Sequence, residues 1–132
     1  MGYTTNFNGR FELDRPLTAE HSAFLQNFAS TDHRDESDVP GYYCQWVPAV
    51  DGTAIVWDET EKFYDYVEWL QYLIDNHLGP WGYTLNGAME WAGGDPDDQG
   101  VIHVKDNGVQ AIPNLIIRTE PTFIKPEPKW NK

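Results

Sequence analysis

The stretch DETEKFYDYVEWLQYLIDNHLGP, residues 58–80, decides the fold class. Phe63, Tyr66, Val67, Leu70, Leu73, Ile74 and Leu78 recur at helical spacing and fall on one stripe, the mark of a helix packed on a core. Asp58 and Glu61 stand three apart as a capping box, with Thr60 as an alternative cap. Gly79-Pro80 predicts the stop: a left-handed cap followed by a residue that cannot continue a helix. Tyr64, Trp69 and Tyr72 fall off the stripe, and Trp69 and Tyr72 can lie side by side on the helix.

Outward from this helix the pattern changes to period two. Upstream, residues 42–47 alternate, with Tyr42, Cys44 and Trp46 on one side and Tyr43, Gln45 and Val47 on the other. Asp51-Gly52 predicts a tight hairpin turn, with residues 54–57 as the return strand. Downstream, residues 83–91 alternate through Leu85, Met89 and Trp91, residues 101–105 form a short strand, and Asp106-Asn107-Gly108 turns the chain into 109–112. At the other end, Phe7, Phe11 and Leu13 share a strand face, with Gly9 read as a bulge. Thr18 reads as the N-cap of a first helix carrying Leu17, Phe24, Leu25 and Phe28. Residues 30–41, polar and broken by Pro40, read as a surface loop.

The expected class is therefore α+β: a mainly antiparallel sheet with two helices on one face in βαββαβ(ββ) order. That order resembles a ferredoxin-like split βαβ arrangement, with a plainer α+β roll as the alternative. Residues 1–112 are read as a single acidic domain. Residues 113–132 are read as an extended tail, held open by Pro121, Pro126 and Pro128. Residues 115–117 are a further strand candidate.

The chain has 132 residues, 9 Lys plus Arg against 21 Asp plus Glu, and a formal net charge of −12. The charge is concentrated: residues 32–98 hold fifteen acids and two bases, Arg34 and Lys62, which is −13, and the rest sums to +1. Such a field repels nucleic acid, which is bound mainly through cations on phosphate. Its plainest use is solubility, and a partner chosen by charge is a basic protein. No run is apolar and long enough for a membrane helix, and residues 1–8 lack a signal-peptide pattern, so the expected compartment is the cytoplasm.

Several runs occur together: Gly2-Tyr3-Thr4-Thr5, Cys44-Gln45-Trp46-Val47-Pro48, Asp51-Gly52-Thr53-Ala54-Ile55, Trp57-Asp58, Glu61-Lys62-Phe63-Tyr64 and Tyr66-Val67-Glu68-Trp69-Leu70. Pro80-Trp81-Gly82-Tyr83, Leu85-Asn86-Gly87, Asp95-Pro96-Asp97-Asp98 and Val104-Lys105-Asp106-Asn107 complete the set. As a set they resemble a family of small proteins of actinobacteria and their phages over about residues 2–112. Members carry a longer insert between the first helix and the Cys-Gln-Trp-Val run, where this chain is short. The resemblance implies a fold unit and a phage or mobile-element setting. It implies no activity and no catalytic residue.

Motifs that carry chemistry are few. Asp95-Pro96-Asp97-Asp98 could supply carboxylates to a hard cation, but the glycine and closing glutamate of a calcium loop are missing, and the run reads as a solvated turn. His21, His33, His77 and His103 show no metal-ligand spacing, and Cys44 reads as a small buried hydrophobe. No cofactor or metal is expected and no residue stands out as catalytic.

Three functions follow as expectations. The first is a non-enzymatic acidic binding protein docking on a basic protein surface, through Tyr64, Trp69 and Tyr72 as aromatic anchors rimmed by Asp58, Glu61, Asp65 and Glu68. In a phage setting this would be an accessory or inhibitor role. The second is a small enzyme or ligand-binding domain with a pocket between sheet and helices, drawing on Asp58, Glu90 and His103. The third is self-association through Phe123, Ile124 and Trp130 of the tail.

Overall fold

The computed structural model describes residues 5–60, 63–94 and 98–113. Six strands form one antiparallel sheet: β1 (Asn6–Leu13), β2 (Trp46–Pro48), β3 (Ala54–Trp57), β4 (Leu85–Ala92), β5 (Gln99–Lys105) and β6 (Gly108–Pro113). Their spatial order is β2-β3-β1-β4-β5-β6. Helix α1 (Ala19–Ala29) joins β1 to β2, and α2 (Tyr66–Leu73) lies between β3 and β4. The fold is thus α+β and the sheet is open.

One face of the sheet is apolar because the period-two pattern makes it so. Phe11 of β1 stands opposite Ile55 of β3 and Gly87 of β4, Leu13 opposite Leu85, and Met89 opposite Ile102. Leu25 of α1 and Trp69, Leu70 and Leu73 of α2 join Phe11, Ile55, Leu85, Met89 and Ile102 in a single core. The other face carries Asn6, Asn8, Arg10, Glu12, Asn86, Glu90, His103, Lys105 and Gln110, all exposed.

Local chemistry explains the element ends. Thr18 Oγ1 accepts from the His21 backbone N–H at 3.0 Å, capping α1 as the sequence predicts. The β5–β6 turn places Asp106 and Asn107 at φ 48° and 72°, with Lys105 paired to Gly108, a two-residue hairpin of the primed kind.

Four expectations are corrected. Gly9 is no bulge: the β1–β4 ladder runs unbroken through Arg10–Ala88, Gly9–Met89 and Asn8–Glu90. Strand β2 begins only at Trp46, and alternation fails before it: Tyr42 and Tyr43 are both exposed while Cys44 and Gln45 are both buried. Asp58 does not cap α2. Its Oδ1 accepts from Thr60 N–H at 2.9 Å in a local turn, and α2 starts at Tyr66. Gly79 is not a left-handed stop either. The helix runs through a π-turn, Ile74–Leu78, into a last turn, Gly79–Trp81, and ends at Gly82 with φ 95°. Tyr83 N–H donates to Leu78 O and Gly82 N–H to Gly79 O, the paired bonds of a Schellman cap.

The π-turn explains how Gly79 and Pro80 are tolerated. The Gly79 N–H bonds Ile74 O, one residue wider than an α-turn, and a Cβ on Gly79 would lie 2.8 Å from that oxygen. Only glycine fits this backbone approach. Residues 114–132, including the 115–117 strand candidate and most of the tail, lie outside the described residues, as do Glu61, Lys62, Asp95, Pro96 and Asp97.

Candidate functional site

The predicted aromatic anchors separate in the folded chain. Trp69 is 0% exposed, so it presents no ring to a partner, which corrects its expected place on the surface. The covering comes from α1 and the loop after it: Phe28 lies edge-on to Trp69 at 5.7 Å between centroids, and His33 lies at 5.4 Å. Tyr72 is half-buried, edge-on to Trp69 at 5.6 Å and stacked at 6.0 Å on Phe28. Tyr64 alone of the three is exposed, at 65%. Asp65 and Glu68 are exposed, Asp58 is half-buried in its turn with Thr60, and Glu61 is outside the described residues.

Tyr64 and Asp65 open instead on a cleft of about 530 Å³, lined also by Pro40, Gly41, Tyr42, Tyr43 and Gln45. Tyr42 and Tyr43 are 59% and 43% exposed, so three tyrosines from two distant parts of the chain meet solvent here. Asp35, Glu36 and Asp38 precede Pro40 in the loop, and Glu59 and Glu68 flank Tyr64 and Asp65 in the sequence; all five are exposed. In the loop, Arg34 Nε contacts Asp32 Oδ2 at 2.9 Å and lies over the Tyr42 ring, Cζ 4.9 Å from its centroid. The Tyr43 hydroxyl donates to Asp32 Oδ2 at 3.1 Å. The Arg34 backbone N–H first, then its guanidinium, hold the Asp32 carboxyl below its ordinary range, so Asp32 stays ionised.

Asp65 is unusual. It is the N-cap of α2, yet its backbone is left-handed at φ 59° and its side chain makes no capping bond. Among the described residues its carboxylate has no hydrogen-bond or ion-pair partner. Behind it, Trp69 Nε1 is buried with no partner among the described residues. A Cβ on Gly41 would come within 3.1 Å of Asp65 Oδ2 and 3.2 Å of Trp69 Nε1, so Gly41 keeps a narrow space beside both groups.

The other candidates are explained by packing. Asp58, Glu90 and His103 do not converge: Glu90 and His103 sit diagonally on the open sheet face, opposite Val101 and Ala88, and Asp58 is held by its own turn. Cys44 is fully buried, its Sγ 3.8 Å from Trp46 O, and burial pushes its thiol up to about 12, which leaves no nucleophile near neutral pH. His21 stacks on Trp81 at 3.8 Å, with Nδ1 2.9 Å from the Tyr83 hydroxyl. His33 bonds Glu36 and Phe28 O. His77 packs against Phe24, Phe28 and Trp81, and burial lowers its pKa. Among the described residues no group of three or more His, Cys, Asp or Glu could hold a metal ion, and no helix is long and apolar enough to cross a membrane.

The sequence offered no signal for the cleft. Tyr42 and Tyr43 looked like opposite faces of one strand, and nothing local tied them to Tyr64. No family model, curated protein or solved structure matches the chain, so the cleft is read from its own residues.

Proposed function

We propose that this protein is a non-enzymatic acidic binding protein that docks on a basic surface of a protein partner. The observation that carries the reading is the cleft itself: three exposed tyrosines around the Asp65 carboxylate, which has no hydrogen-bond or ion-pair partner among the described residues. Tyrosine in a polar rim is the composition of binding hot spots, and the acidic central segment steers an oppositely charged partner. The anchors named from the sequence are reduced by burial to Tyr64, joined by Tyr42 and Tyr43. The scaffold fits this role. We infer a ferredoxin-like core in β2-β3-β1-β4, extended by the β5–β6 hairpin, because β1 stands between β3 and β4 and both crossovers are helical.

The test is a pull-down from host lysate at low and high salt, run with the wild-type chain and with a D58N/E59Q/D65N/E68Q variant. A stoichiometric protein held by the wild type at low salt, released at high salt and lost by the variant is the expected result. Capture that ignores both salt and the four substitutions overturns the reading. An empty bait at both salts favours the small-ligand alternative.

A further inference from the structure

The cleft specifies more than a charge. None of its lining residues is a base, and Asp65 is its carboxylate. That carboxylate sits at a helix N-terminus, where an aspartate ordinarily bonds the helix N–H groups, yet it caps nothing. The left-handed backbone of Asp65, one of five such non-glycine positions among the described residues, turns the side chain away from the cap. The fully buried Trp69 adds an indole N–H that has no partner among the described residues, beside the same small space at Gly41. A buried donor without an acceptor is rare and calls for a reason. The tyrosines supply ring faces, and Tyr42 already takes a guanidinium, that of Arg34.

We propose that the cleft receives the side chain of a lysine from the basic partner. Tyr42, Tyr43 and Tyr64 flank its methylene stem and ammonium, Asp65 supplies the counter-charge, and the Trp69 indole N–H donates to Asp65 once the carboxylate turns to meet the cation. A neutral sugar also stacks on tyrosine, but a lining carboxylate without a partner among the described residues, in a chain segment of fifteen acids and two bases, favours a cation. The inference rests on the docking reading for the class of partner and names the group that is recognised.

The test is an NMR titration of the full chain, at constant ionic strength, with N-acetyl-lysine-methylamide and with its uncharged counterpart N-acetyl-norleucine-methylamide. The lysine probe is expected to shift the amides of Tyr42, Tyr43, Tyr64 and Asp65 and the Trp69 indole N–H, and the norleucine probe none of them. Asp65→Asn weakens lysine binding by roughly fivefold, the size of one partly exposed charge contact. Asp65→Gly does the same while relieving the left-handed backbone, and Tyr64→Ala is a second, exposed site for the same readout. Equal shifts from both probes, no shift from either, or an affinity untouched by Asp65→Asn and Tyr64→Ala overturns the proposal. Failure here with salt-dependent, acid-dependent capture intact removes the lysine site and leaves the docking reading. Lysine binding with an empty bait does the reverse.

Discussion

Two aromatic clusters sit within a few side chains of each other and do opposite things. Between α1 and the α2 helix, Phe24, Phe28, Trp69, Tyr72, His77 and Trp81 lie ring against ring, edge-on, tilted or stacked, with centroids 4.8 to 6.2 Å apart. Across the cleft, Tyr42, Tyr43 and Tyr64 make no such ring contact among the described residues and stand open to solvent. Tyrosine occurs in both and the neighbourhood differs. In the first cluster the quadrupoles satisfy one another and the rings contribute stability. In the second they face solvent, apart from the Tyr42 face under the Arg34 guanidinium. Aromatic density in a sequence therefore says how much ring area a chain carries, and the fold divides that area between cohesion and recognition.

The comparison breaks most sharply on a pair of truncations. Trp69→Ala removes a fully buried ring and is expected to cost about 3–5 kcal/mol in chemical denaturation. Tyr64→Ala, at a position 65% exposed, is expected to stay within about 0.5 kcal/mol of wild type. Equal losses for the two would erase the distinction between the clusters. A smaller effect sharpens it. Gly79→Ala drives a Cβ against Ile74 O and is expected to cost about 1–3 kcal/mol, since backbone must shift to admit it. The π-turn carries His77 and leads to Trp81, so their resonances should move, while the lysine response at Tyr64 and Asp65 should persist.

The smallest expected effect is a pH dependence. Burial lowers the pKa of His77 below 6.5, and its Nε2 has no hydrogen-bond partner among the described residues, so the folded chain holds this ring neutral. The unfolded chain binds the proton more readily. The stability His77 contributes is therefore present above about pH 6.5 and is lost as pH falls toward its folded pKa. Denaturation curves at pH 7.5 and pH 5.5 should show a decline that is shallower in His77→Phe. An identical decline in the variant would place the effect on other groups.

Legibility from the sequence followed the range of the interactions. The Thr18 cap, the Asp51-Gly52 and Asp106-Asn107-Gly108 turns and the strands read at 83–91 and 101–105, which form at 85–92 and 99–105, depend on neighbours a few residues away, and each was readable to within two residues. The end of the second helix was not. Gly79-Pro80 has the composition of a stop, but the wider Gly79-to-Ile74 bond let the chain pass through it and end at Gly82. Asn107 shows the same limit: its side chain accepts from Leu85 N–H and donates to Tyr83 O, a tie across the sheet that no local pattern announces.

By itself the sequence determined an α+β chain with two helices, a mainly antiparallel sheet and a −13 central segment, because periodicity, turn chemistry and charge are local or additive. The tertiary structure alone decided which tyrosines face solvent, that Trp69 does not, and that the loop at 40–45 meets the start of α2 across a cleft. The physical reason is that burial belongs to pairs of surfaces. A helix face or a loop is covered or exposed according to what folds against it from far along the chain, and here the loop after α1 and Phe28 took one side of α2 and left the other end open.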